Sequence, residues 1–184
     1  MTPPFLNSFV AGPHGPWRTD AINAIAGEAL PGAERLAVAE SDVAQAANEP
    51  AWTLRGVISN TRYTKRDELS ELGAVQQGLG RPPATKGALI PIRKSAAWWA
   101  LAQDERRAIF EEQSRHIGIG MDYLPAVARR LHHSRDLGGP FDFLTWFEFA
   151  PQDEAAFNDM LARLRETAEW SFIEREVDIR LTRD

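Results

Sequence analysis

The stretch Phe141-Asp-Phe-Leu-Thr-Trp-Phe-Glu-Phe149 decides the fold class of this chain. Its four phenylalanines all fall at odd positions, so the two-residue period of a strand places them on one face. We therefore expect a strongly aromatic β-strand here. A later segment shows the same period, because Val177, Ile179 and Leu181 alternate with charged residues, and it predicts a final strand over 173–181.

Two further strands are predicted upstream. Alternation predicts a strand over 52–60, and an apolar run predicts another over 88–92. Pro91 lies inside the second run, and because proline has no N–H it requires an edge or a strand end. Weaker alternation allows short strands over 5–10 and 36–38.

Spacings of three and four residues predict helices over 65–72, 95–133 and 153–166, with breaks in the second. The last part of the second helix carries an apolar stripe from Ile117 to Leu131, which Pro125 is expected to kink. The order of elements predicts a ferredoxin-like α+β fold, an antiparallel sheet with helices on one face. An open sheet with an aromatic face needs a partner surface, so a homodimer is expected.

Composition bounds the class of protein. The chain has 184 residues, of which 43% are hydrophobic and 26% charged, as expected for one soluble globular domain. It has no cysteine, which excludes disulfides, zinc ribbons, iron–sulfur clusters and thiolate-ligated haem. Its net charge of −5 gives no attraction to nucleic acid or anionic lipid. No membrane span or signal peptide is apparent, so we expect a cytoplasmic protein with neither a nucleic-acid nor a membrane partner.

Histidine is scarce, and spacing alone does not identify a metal site. The chain has His14, His116, His132 and His133. His132 and His133 are adjacent, so on a helix they would point about 100° apart and could not chelate one ion together. His116 lies at a helix junction, where spacing alone favours a structural role. The aromatic, arginine-bearing interior would suit a flat apolar cofactor with anionic edges, although composition alone favours an ordinary aromatic core.

Five motifs follow one another in consistent order in the second half of the chain. They are Ala88-Leu-Ile-Pro-Ile-Arg-Lys-Ser-Ala-Ala-Trp-Trp99, Asp104-Glu-Arg-Arg107, Ser114-Arg-His116, Tyr123-Leu-Pro-Ala-Val-Ala-Arg-Arg-Leu-His-His-Ser-Arg-Asp136 and Phe141-Asp-Phe-Leu-Thr-Trp-Phe-Glu148. Together they strongly resemble the chlorite dismutase family, and more closely its short, dimeric branch. The resemblance covers roughly residues 50–182.

The resemblance implies a ferredoxin-like dimeric α/β barrel that binds haem b without a covalent bond. It also implies a homodimeric enzyme that converts a small anion, chlorite, into chloride and dioxygen. Oxygen transfer to the iron would give a ferryl species and hypochlorite, which then recombine to form the O–O bond. The short chain would have a reduced N-terminal lobe over residues 1–50 and a C-terminal haem-binding half over residues 51–184, in one compact unit.

By motif match, His116 would be the proximal iron ligand and Arg129 the distal arginine, which would hold the anion. Glu169 would accept the other ring N–H of His116 and make this ligand more electron-rich. His116 and Arg129 are 13 residues apart in the sequence. Because a helix rises about 1.5 Å per residue, one helical segment of about 20 Å would serve both faces of the haem.

The resemblance also implies further contacts with the haem or its ligand. The distal glutamine matches Gln76, with Gln77 as the alternative one residue away. Trp98 matches a tryptophan beside the haem, and Asn60 and Tyr63 match contacts to the haem edge.

Three other functions stay open at this point. A coproheme decarboxylase belongs to the same superfamily, but Arg129 argues against it because a glutamine would be expected at the distal position. A non-catalytic haem-binding or haem-sensing protein would share most of the binding residues. A dimeric α+β domain without a cofactor would lack a Soret band.

Overall fold

Antiparallel strands form a closed barrel in the computed structural model, which describes residues 5–40, 50–59, 64–75 and 77–184. The strands are β1 (Leu6–Gly12), β2 (Trp17–Ala26), β3 (Arg35–Ala39), β4 (Trp52–Ile58), β5 (Lys86–Lys94), β6 (Ala128–His133), β7 (Phe143–Phe149) and β8 (Ile173–Arg183). Their order around the barrel is β1-β3-β2-β8-β5-β7-β6-β4, and β4 pairs with β1 to close it. The predicted ferredoxin-like α+β class is confirmed, whereas the boundary at residue 50 stays a prediction.

Helices connect the strands. They are α1 (Arg66–Val75), α2 (Ala96–Ala100), α3 (Gln103–Arg107), α4 (His116–Met121) and α5 (Glu154–Arg165). A π-helical turn over Ala108–Gln113 follows α3, and 3-10 turns cover Arg135–Leu137, Pro151–Asp153 and Ala168–Phe172. The helices predicted over 65–72 and 153–166 correspond to α1 and α5. Within the described ranges, no helix is long and apolar enough to cross a membrane.

The aromatic strand β7 separates two hydrophobic cores. Phe143, Phe147 and Phe149 face outward and pack against α5, which buries Phe157 and three aliphatic side chains there. The alternate residues of β7 face the barrel interior, where they meet apolar side chains of β1–β5 and β8. Phe141 packs in this interior core. Its predicted place beside the other three phenylalanines is wrong, because β7 begins only at Phe143 and the alternation does not extend to Phe141.

The barrel closes within one chain, so the sheet does not need a second subunit to cover it. The outward aromatic face of β7 is covered by α5, and the interior face is covered by the opposite strands. The inference that an open sheet needs a second subunit is therefore wrong, because the sheet is not open. The homodimer itself stays a prediction.

Pro91 lies inside a strand that is paired on both sides. β5 runs between β7 and β8, and Pro91 is registered opposite Leu144 of β7. The expected position at an edge or strand end is therefore wrong. The register between β5 and β8 passes over Ile90 and Pro91, and this interruption accommodates a residue that has no N–H to donate.

The segment from residue 95 to 133 is not helical throughout. Helix α4 ends at Met121, the chain turns, and Ala128–His133 forms β6, which pairs with β7 and β4. The predicted helix through Leu131, and with it the single helical segment joining His116 to Arg129, is wrong. Residues of β6 alternate between the two faces of the barrel wall, so Arg129 and Arg130 point to opposite sides.

Candidate functional site

His116 is the first residue of α4, and its ring is held by a buried carboxylate. Arg115, which precedes it, has a left-handed backbone with φ of 51°, and this turn redirects the chain into α4. The Nδ1 atom of His116 lies 2.6 Å from Oε2 of Glu169. The His116 side chain is 26% exposed, whereas that of Glu169 is 3% exposed. The ring is therefore anchored from within the protein and accessible from outside.

Glu169 lies in the 3-10 turn Ala168–Phe172, which brings it beside α4. Its backbone N–H donates to Oγ of Ser114 at 3.1 Å, so the residue two positions before His116 also fixes the carboxylate's backbone. Rings of Phe110 and Trp170 lie 4.9 Å and 6.1 Å from the His116 ring, measured between centroids. The imidazole therefore has a polar partner at one nitrogen and aromatic surroundings.

Lys94, at the end of β5, completes this group, and the sequence reasoning missed it. Its Nζ donates to Oε1 of Glu169 at 2.5 Å and lies 3.4 Å from the centroid of the Trp98 ring. The side chains of Lys94 and Glu169 are both buried. The available signal was a lysine at the end of an otherwise apolar strand, because a buried lysine requires a partner. Trp98, predicted beside the haem, contacts this lysine.

The pKa values of Glu169 and Lys94 are both shifted downward, for different reasons. Burial would raise the pKa of Glu169, but the positive charges of His116 and Lys94 and their hydrogen bonds lower it to about 2. Burial lowers the pKa of Lys94, and the Glu169 carboxylate opposes this change. Glu169 therefore remains an ionised hydrogen-bond acceptor for the Nδ1 proton of His116.

Arg129 reaches the same helix from β6. A Cβ built on Gly120 would lie 1.7 Å from Nη1 of Arg129, so the guanidinium rests directly on the backbone of α4. Gly120 is four residues after His116, which places the two on the same side of α4. Burial lowers the pKa of Arg129, an effect that the carboxylate of Glu111 opposes. Arg129 therefore reaches the helix that carries His116 from the neighbouring strand β6, and not from the same helix.

Three predicted contacts fall on residues outside the described ranges. They are Gln76, Asn60 and Tyr63, and their assignments stay predictions. Gln77, the alternative distal glutamine, is exposed, and its Oε1 accepts a hydrogen bond from Nη1 of Arg81 at 2.6 Å.

The other histidines lie apart from this group. His132 is buried in the barrel, where Nε2 accepts from Nδ2 of Asn7 at 2.9 Å and Nδ1 donates to the Leu144 carbonyl at 3.1 Å. His133 pairs with Asp136 at 3.1 Å. Both belong to β6, so the helical placement considered from the sequence is wrong.

Fold and site together define a class of protein: an antiparallel α+β barrel that carries, on its outer side, a partly exposed histidine held by a buried carboxylate, together with an arginine that contacts the same helix. The chlorite dismutase family model matches residues 31–183, and the chain belongs to this family.

Individual relatives agree with this assignment. The chain is 52% identical to a dimeric chlorite dismutase from Nitrobacter winogradskyi, covering 97% of this chain and 99% of that one with a TM-score of 0.89. It is 30% identical over 120 residues to a chlorite dismutase from Ideonella dechloratans, which covers 64% of this chain but only 40% of that protein. A mutant chlorite dismutase from Candidatus Nitrospira defluvii in complex with cyanide shares the fold at 19% identity, with coverage of 97% and 90% and a TM-score of 0.67.

Proposed function

We propose that this protein is a homodimeric haem b oxidoreductase that decomposes chlorite into chloride and dioxygen. The observation that carries the proposal is the pairing of His116 with a buried carboxylate, beside an arginine that reaches the same helix. Similarity to a dimeric chlorite dismutase at 52% identity supports both the activity and the dimer.

The residues present fit a haem with a single histidine ligand. Nδ1 of His116 is engaged by Glu169, which leaves Nε2 as the coordinating atom of a partly exposed ring. A ligating histidine generally donates its other N–H to a carboxylate or carbonyl, and Glu169 supplies that acceptor. The flanking rings of Phe110 and Trp170 provide apolar surroundings for a flat group. Because the chain has no cysteine, attachment would be noncovalent.

Haem iron, when bound, supplies the redox chemistry that removes oxygen from chlorite. The residues of this chain set the conditions for it. Glu169 holds the Nδ1 proton of His116 and increases the basicity of Nε2, with Lys94 fixing the carboxylate from the other side. Burial lowers the pKa of Arg129, but a guanidinium is so strong a base that it stays charged and attracts an anion. A partly enclosed position screens that attraction less than water would.

Oxygen evolution from chlorite by the haem-loaded protein tests the activity. The Arg129→Ala variant should keep its haem, evolve oxygen about 100-fold more slowly and release hypochlorite, because removing a preorganised charge costs about that factor. Arg130→Ala is the matched control, since Arg130 is the next residue on β6 and lines the barrel interior instead.

Two outcomes would contradict the proposal. Haem-loaded protein that evolves no oxygen would be a non-catalytic haem binder, and an Arg129→Ala variant with undiminished turnover would remove Arg129 from the reaction. Sedimentation of the haem-loaded protein tests the dimer, because a monomer at micromolar concentration would exclude it.

A further inference from the structure

Glu176 is a buried carboxylate for which the proposed reaction has no use. It lies on β8, its side chain is 0% exposed, and it is held by Arg165 of α5. Nε and Nη2 of Arg165 both donate to Oε1 of Glu176, at 2.9 Å and 2.7 Å. A buried ion pair is weak evidence for added stability, since the cost of removing two charges from water offsets their attraction. The side chains that this ion pair holds in place are therefore the better guide to the role of Glu176.

The second oxygen of Glu176 binds a residue beside the candidate haem site. Oε2 accepts the indole N–H of Trp170 at 2.8 Å. The Trp170 ring is nearly parallel to the His116 imidazole, with 6.1 Å between centroids and 26° between planes. A continuous chain of contacts therefore runs from Arg165 through Glu176 and Trp170 to the proposed iron ligand.

One hydrogen bond does not fix the plane of an imidazole. Glu169 holds a single atom of the His116 ring, Nδ1, and rotation about the bond between Cβ and the ring has a broad energy profile. Neighbouring aromatic rings limit the remaining rotation of the imidazole plane, because rings at this separation prefer particular mutual orientations. Trp170 can act in this way only if its own ring is fixed, and Glu176 fixes it at the indole nitrogen.

We infer that Glu176 is a positioning residue, which sets the plane of the His116 imidazole through Trp170. The inference rests on the proposed ligation of haem by His116. Glu176 contacts neither substrate nor iron; it orients the side chain that orients the ligand.

The chain offers a matched control in Asp178. This carboxylate is also buried on β8 and also binds Nη2 of Arg165, at 3.1 Å, but its other partner is Arg180 instead of Trp170. A Glu176→Gln side chain has one oxygen where the carboxylate had two. The Arg165 guanidinium would donate to that oxygen, and the new amide N–H₂ would face the indole N–H. Two donors would then face each other, so the hydrogen bond to Trp170 would be lost. Asp178→Asn weakens the same ion-pair cluster and leaves the Trp170 bond intact.

The test compares these variants by the electron paramagnetic resonance of the haem-loaded protein and by the rate of haem transfer to apomyoglobin. For Glu176→Gln we expect altered g values and about tenfold faster haem release, the size of effect typical of changes behind a metal ligand. Asp178→Asn should match the parent protein within about twofold. Trp170→Phe, which keeps a ring but lacks the N–H, should behave like Glu176→Gln, and the double variant should show no further change.

Three results would overturn the inference. Equal effects of Glu176→Gln and Asp178→Asn would indicate a general structural role. Either no effect of Glu176→Gln or additive effects of Glu176→Gln and Trp170→Phe would remove the link through Trp170. Nuclear magnetic resonance of the ring of His116 in the haem-free protein separates this inference from the proposed function. Broadening of that signal in Glu176→Gln but not in Asp178→Asn supports positioning even if the parent protein takes up no haem, and unchanged signals in both variants refute it.

Discussion

His116 lies outside the barrel and His132 inside it, and their partners differ in kind. His116 faces an ionised carboxylate and is partly exposed, so one nitrogen is supported while the ring remains accessible. His132 is 1% exposed, and both its nitrogens are satisfied by neutral groups, Asn7 and the Leu144 carbonyl. Burial is the main reason that the pKa of His132 falls to about 4. The difference shows that surroundings leave one histidine accessible to a ligand and make the other part of the core.

A glycine makes a close contact in each of the two regions, Gly56 with His132 and Gly120 with Arg129, and the two contacts differ in kind. A Cβ on Gly56 would lie 2.6 Å from Cβ of His132, a rigid atom close to the backbone. A Cβ on Gly120 would instead meet the far end of the Arg129 side chain, which can move. The interior contact therefore concerns packing, whereas the outer contact concerns the placement of Arg129, the proposed anion-binding residue.

The largest expected effect is the difference in haem content between the His116→Ala and His132→Ala variants. His116→Ala should lose most of its haem at purification and keep its fold, because it removes the proposed ligand from a partly exposed position. His132→Ala should keep haem binding and lose about 2–4 kcal/mol of unfolding free energy, from the cavity and the unpaired groups it leaves. For a chain of this size the melting temperature would fall by roughly 4–16 °C.

Soret absorbance per protein and thermal unfolding measure these two effects. Full haem occupancy with an unchanged spectrum in His116→Ala would refute the ligand assignment. Loss of haem from His132→Ala at a temperature where it is folded would remove the distinction between the two regions.

The sequence allowed the choice of His116, Glu169 and Arg129 only through long motifs shared with a family, because their spacing alone favoured no site. Lys94 was missed because its partner Glu169 is 75 residues away, and no local pattern records such a pair. Gln76 lies outside the described residues, so its assignment gains no support.

The fold could be predicted where the sequence itself shows a two-residue period. Alternation identified β7 and β8, although the charged face of β8 is buried as well, against Arg165. β2 gave no signal because Trp17 is its one fully buried residue. β6 was mistaken for a helix because Ile117, Val127 and Leu131 fit a helical stripe, and its pairing with β7 is not visible in the local sequence.

Substitution of the two glycines by alanine separates the barrel interior from the outer site. Gly56→Ala should lower the free energy of unfolding by about 1–3 kcal/mol, because the added methyl group overpacks the barrel core at His132. Gly120→Ala should unfold at nearly the parent temperature and evolve oxygen about 10- to 100-fold more slowly, since displacement of a catalytic group by about 1 Å has that effect.

Chemical denaturation and oxygen evolution should both be measured for each variant. A Gly120→Ala variant with full activity would show that Arg129 works from a position away from α4. Equal destabilisation by both substitutions would mean that the Arg129 contact is as rigid as the core.

The smallest effect is a loss of stability in mild acid that arises from His132. Its pKa is about 4 in the folded protein and about 6.5 in the unfolded chain, so between these values the unfolded state binds more protons. Stability must therefore fall as the pH is lowered through this window, by about 1 kcal/mol from pH 7 to 5.5. Glu169 does not contribute there, because its pKa is lowered and its effect is lost only below about pH 4.5.

His132→Gln removes the titrating group and is the control for this effect. Subtracting its unfolding free energy from that of the parent protein at each pH cancels the contributions of the other histidines. The difference should shrink by about 1 kcal/mol between pH 7 and 5.5. A difference that is constant with pH would mean that His132 can accept a proton inside the barrel, for example by reorientation of the Asn7 amide so that its oxygen faces Nε2.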